Sequence, residues 1–167
     1  MATAYAFSSL VPDSSFPPKW STGMDQRIEF QYTLAGAVVT GDTFTTPANA
    51  LPNNGFRVLE IEVISPELDT DATPTGTFSV GDSGVAARFI NAAPMGINGV
   101  TTSGEQMRTA INIAQGLTSG VVSTGSNYLY ASGTSPRLVM TLAGTVATAQ
   151  TAGTIRLIVT FRCTEEQ

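Results

Sequence analysis

The 167 residues suffice for one domain, and a hydrophobic share of 42% fills a single core and is too high for a disordered chain. Only 13% of residues are charged, the net charge is −5, and the basic residues (seven Arg and Lys19) are scattered, so the electrostatic footprint for nucleic acid is missing. A single cysteine, Cys163, excludes an intrachain disulfide, and no run nears the ~18 apolar residues of a membrane span.

In chain order, residues 1–26 stand apart. They hold Pro12, Pro17, Pro18 and five Ser, which disfavour helix, together with the aromatics Tyr5, Phe7, Phe16 and Trp20. Disordered tails are poor in aromatics, so an extended arm that orders against a neighbouring subunit or the body is predicted, with these four residues as its partner-binding anchors. The same N-terminal stretch lacks the basic and apolar regions of a signal peptide, which predicts assembly in a cytoplasm.

Period-two alternation begins at Arg27. Ile28, Phe30, Tyr32 and Leu34 share one face and Arg27, Glu29, Gln31 and Thr33 the other, as in a half-buried antiparallel strand. Ala37–Phe44 is a weaker stretch interrupted by Gly41-Asp42, and residues 47–55 form a breaker-rich loop. Phe56–Ser65 is the second clear strand, with Leu59, Ile61 and Val63 on the core face, Glu60 and Glu62 on the solvent face, and Pro66 as its stop. A turn-rich segment, a short strand Thr77–Val80, a Gly81-Asp82 turn and another short strand at Ala86–Ile90 follow.

The middle is the least legible. Residues 104–116 read either as one or two helical turns or as an edge strand, which Ile111 and Ile113 suit. Val121–Ser123, Tyr128–Ala131, Pro136–Leu142 and Thr154–Cys163 complete the pattern. In the last, Ile155, Leu157, Val159, Phe161 and Cys163 line one face; Ile158 alone breaks the alternation, so the second face is expected to be partly covered. Seven to nine short strands with Gly and Pro turns predict an all-β fold, a sandwich, jelly roll or barrel, over 27–167 behind the arm, and of these a jelly-roll-like antiparallel β-sandwich is the form expected.

Chemistry is scarce. Without histidine the commonest general base, the Ser–His and Cys–His pairs and the usual zinc ligand are all missing, and no phosphate loop, nucleophile elbow or dinucleotide fingerprint occurs. Asp69, Asp71 and Asp82 fall short of a Ca²⁺ site, which wants six or more oxygens, and suit turns instead. The expectation is therefore no enzyme, with no catalytic residue, cofactor or metal. A second reading, a carbohydrate-binding sandwich, would place Trp20, Tyr128 and Tyr130 against sugar rings, since Tyr128 and Tyr130 share a strand face.

The run Gly55–Ile90 resembles a pattern of tailed-phage head decoration (capsid cement) proteins. The shared parts are a strand ending near Ile64, Leu68-Asp69-Thr70, Thr77–Val80 with Gly81-Asp82, and Arg88-Phe89-Ile90, with a loose fit at Val39–Leu51. The resemblance implies a small β-sandwich, often trimeric, on the exterior of a virion. There it would bind the major capsid protein and tie coat subunits together. A phage tail or baseplate protein is the other structural alternative. Seven Arg to one Lys and the aromatic arm agree with the composition of binding surfaces.

Overall fold

The structure, a computed structural model, describes residues 1–9, 25–97, 99, 106–112, 128–133 and 136–164. Among them lie eleven strands and no helix. These are β1 (Ala4–Ala6), β2 (Ser8–Ser9), β3 (Asp25–Thr33), β4 (Thr43–Thr45), β5 (Asn54–Pro66) and β6 (Thr77–Asp82), then β7 (Ile90–Pro94), β8 (Gln106–Asn112), β9 (Leu129–Ser132), β10 (Leu138–Ala143) and β11 (Thr154–Cys163). Sheet I has the order β1-β4-β10-β6-β7 and sheet II the order β2-β3-β11-β5-β8, with β9 beside the first part of β5. All pairs are antiparallel except β1 with β4. The all-β sandwich expected from alternation is what the chain forms.

The alternating residues explain the layering. Ile28 and Phe30 of β3 and Ile155, Leu157, Val159 and Phe161 of β11 point inward from sheet II. They meet Phe44, Phe78, Val80, Leu138, Met140 and Leu142 of sheet I, all buried in one core. Cys163 ends the β11 row as a small buried hydrophobe, and burial pushes its thiol pKa up.

Three local expectations are corrected and one open alternative is resolved. Leu59 does not sit with Ile61 and Val63, because the β5–β11 register slips there: Thr160 faces Glu60 while Phe161 faces Val58. Leu59 is the extra residue of a β-bulge, so Phe56 and Val58 before it point inward as Ile61 and Val63 do after it. Asp82 ends strand β6 rather than forming a turn. The strand expected at Ala86–Ile90 begins only at Ile90, because residues 83–88 fold back over Gly81. A Cβ on Gly81 would collide with the Val85 carbonyl oxygen, so this close approach requires glycine. Residues 106–112 of the ambiguous middle are a strand paired with β5; Ile113 and the stretch Val121–Ser123 lie outside the described residues.

Candidate functional site

The described part of the N-terminal arm is extended and spans both sheets. β1 lies parallel to β4 (Tyr5 opposite Phe44), and β2 lies against β3 (Ser9 opposite Phe30). Phe7, between them, is 2% exposed, and its amide donates to the Thr45 carbonyl at 2.9 Å. The half-buried Tyr5 ring stacks on Phe44 at 5.1 Å and meets Tyr32 at 5.0 Å. Burial, with Tyr5 and Asp42 nearby, raises the Tyr32 phenol pKa. Asp42, fully buried, takes the Thr3 amide at 2.7 Å on one oxygen and the Val39 amide at 2.8 Å on the other. Of the four predicted anchors, then, Tyr5 and Phe7 pack into this chain's own sandwich, and Phe16 and Trp20 lie outside the described residues.

A second cluster gathers at the end of β6. The Asp82 carboxylate accepts from Arg88 Nε at 2.6 Å and the Tyr130 hydroxyl at 2.6 Å, and from the Gly84 and Val85 amides at 2.9 and 2.8 Å. Burial alone would raise its pKa, but the Arg88 and Tyr130 hydrogen bonds and the two amides outweigh it and hold the carboxyl below its usual range. Burial first, then the bond to Asp82, pushes the Tyr130 phenol up strongly. Arg88 lies 3.9 Å over the Tyr128 ring, and Phe56 stacks on Tyr130 at 4.9 Å. Tyr128 and Tyr130 stand edge to face, 77° apart, so they do not present the common flat platform that sugar stacking needs. An open cleft of ≈ 530 Å³ beside them is lined by Ser83, Leu129, Pro136 and Arg137 among others. The sequence marked Asp82 only as a turn residue, because its partners come from β9 and the 83–88 loop.

Other carboxylates among the described residues hold structure together. Asp69, fully buried, accepts the Thr75, Gly76 and Thr148 amides, and Asp71 accepts from Thr73. Among the described residues no three metal-ligating side chains converge. Glu62 departs from its expected place in solvent. It lies on the outward face of sheet II yet is 3% exposed, beneath Arg27 (3.5 Å) and Arg108, which also bonds it. Beside it in β11, Ile158 is 2% exposed, which gives the expected cover on that face a physical form. Arg156–Glu29 and Arg162–Asp25 extend the pairing across the sheet.

No protein-family model matches the chain, and no match is found among curated proteins. Solved structures do match. A chain of the cyanophage Pam1 capsid asymmetric unit is 24% identical at TM-score 0.60, covering 92% of this chain and 95% of that one. A chain of the capsid of Ralstonia phage GP4 is 21% identical at TM-score 0.55, covering 93% of this chain and 90% of that one. At these identities the likeness is one of fold, and it spans the whole sandwich.

Proposed function

We propose that this chain is a structural protein of a tailed-phage virion, and within that class a head decoration protein. In this reading a jelly-roll-like sandwich sits on the capsid exterior, binds the major capsid protein and bridges neighbouring coat subunits. It assembles in the host cytoplasm, self-associates as a homotrimer and catalyses nothing. The observation that carries the reading is the full-length likeness of fold to chains from two phage capsids. The decoration-protein pattern at Gly55–Ile90 agrees with it. So does the strand order: leaving β1 and β2 aside, the chain pairs β3 with β11, β4 with β10, β5 with β8 and β6 with β7, the order of a long hairpin wrapped on itself. Within the 1–26 arm, Tyr5 and Phe7 are committed to a sandwich, which leaves Phe16 and Trp20 as the anchors offered to the coat.

The test is addition of purified protein to heads that lack it, followed by sedimentation and thermal challenge. Co-sedimentation with heads that then survive higher temperature is expected, and the double change Phe16→Ala with Trp20→Ala should abolish it while leaving the sandwich folded. Attachment to purified tails alone would transfer the protein to the tail, and attachment to neither would overturn the virion reading. The native mass of the protein checks the trimer.

A further inference from the structure

Residues 1–9 are joined to the sandwich in a way that does not depend on which chain supplies them. Among the described residues β1 pairs only with β4 and β2 only with β3, so the segment closes the outer edge of each sheet in turn. Its attachments include the main-chain bonds Thr43 N to Thr3 O at 3.0 Å and Phe7 N to Thr45 O at 2.9 Å, the Thr3 amide donating to the Asp42 carboxylate, the Ser8 hydroxyl donating to the Gln31 carbonyl at 3.0 Å, and two rings in a slot walled by Phe44 and Tyr32. This is strand addition to open edges, in which backbone bonds supply affinity and pockets for side chains supply specificity. Fifteen residues, 10–24, separate this segment from β3. Fully extended they span up to ~50 Å, more than the ~30–40 Å across a domain of this size.

We infer that the slot between the edges of β3 and β4 is a binding site for residues 1–9 of a second copy of this chain, so that copies are linked by strand exchange. Exchange keeps every bond and ring contact of the closed form, and only the path of the connecting residues changes, so its intrinsic cost is low. What selects between the two forms is local concentration, which is high where many copies are held side by side. The exchange does not depend on the virion reading: it would hold for any setting that crowds copies together, and its test uses no virus particle.

Ala6 and Thr45 are register partners on adjacent strands and both lie away from the core. Full-length Ala6→Cys and full-length Thr45→Cys, each also carrying Cys163→Ala, are unfolded together at high concentration, refolded and oxidised. Exchange predicts a covalent heterodimer well above that from Ala6→Cys mixed with Ala143→Cys, whose cysteine lies on the same sheet away from β1. Adding Phe7→Asp to the Ala6→Cys chain should remove the heterodimer, and Phe7→Leu should retain it. A yield no greater than the Ala143→Cys control would overturn the inference, as would a heterodimer indifferent to Phe7→Asp. A chain carrying both Ala6→Cys and Thr45→Cys, diluted before oxidation, should close on itself, which verifies that the pair can bond.

Discussion

The two sheets share one core and the same alternation, yet their outward faces are opposites. On sheet I the outward positions are Ala4, Ala6, Thr43, Thr45, Val139, Thr141, Ala143, Thr77 and Ser79, without a single charge. On sheet II they include Arg27, Arg57, Arg108, Arg156 and Arg162 against Asp25, Glu29, Glu60 and Glu62. The low charge of the whole chain is therefore an average over one neutral face and one dense one. Hydroxyls and small apolar groups keep the first face shallow. On the second, Arg27 and Arg108 lie over Glu62, and Ile158 beside it is buried as well, so that face has a small interior of its own. The carboxylate that ends a sheet I strand, Asp82, is turned inside and neutralised by Arg88.

Four tests by substitution probe this contrast, in order of decreasing effect. Asp82→Asn strips a buried ion pair of its anion and should cost about 3 kcal/mol in denaturant unfolding. Because the native carboxyl is held below its usual range, the unfolded chain takes up protons first as acid is added. The wild type should therefore lose this stability as pH falls below about 4, and the Asn variant should lack that part of the acid limb. On sheet II, Arg27→Ala with Arg108→Ala uncovers Glu62 and should cost about 2 kcal/mol, less than a fully buried pair because water can reach the carboxylate. Adding Glu62→Leu should recover most of it, and failure to recover would show that the arginine stems matter more than the charge. Tyr130→Phe keeps the ring on Phe56 and loses the bond to Asp82, for about 1.5 kcal/mol. Its raised phenol pKa gives the wild type a further loss of stability above about pH 10 that the Phe variant should not share. Last, Thr141→Val on the neutral face should stay within about 0.5 kcal/mol of wild type; a larger change would mean that face is not free of structure.

Much of the fold could be read from residues whose environment is set by their own strand. β3 and β11 are visible as clean alternations because each has one face in the core. The bulge at Leu59 is not visible, since it exists only in the register with β11, a hundred residues further along the chain. Glu62 looked solvent-facing because alternation gives the side of the sheet and not what lies above it; its cover comes from β3 and β8. Tyr128 and Tyr130 share a spacing that suits a platform, but Tyr128 precedes β9, and Arg88 and Asp82 set the two rings at different angles. For residues 1–9 of the arm the aromatic content points to ordering, while the choice of surface for Tyr5 and Phe7 depends on open edges that no local pattern announces.

The position of β11 carries a consequence for synthesis. It lies in the middle of sheet II, between β3 and β5, and β10 lies between β4 and β6 in sheet I. A nascent chain that has cleared the ribosome through β9 would hold four strands lacking their central neighbours, with Phe30, Val63, Phe78 and their like uncovered. Folding must therefore wait for emergence of β11 and then proceed in one late, non-local step. Prematurely terminated products would be the sticky ones, so translation through residue 163 acts as the gate to the closed sandwich.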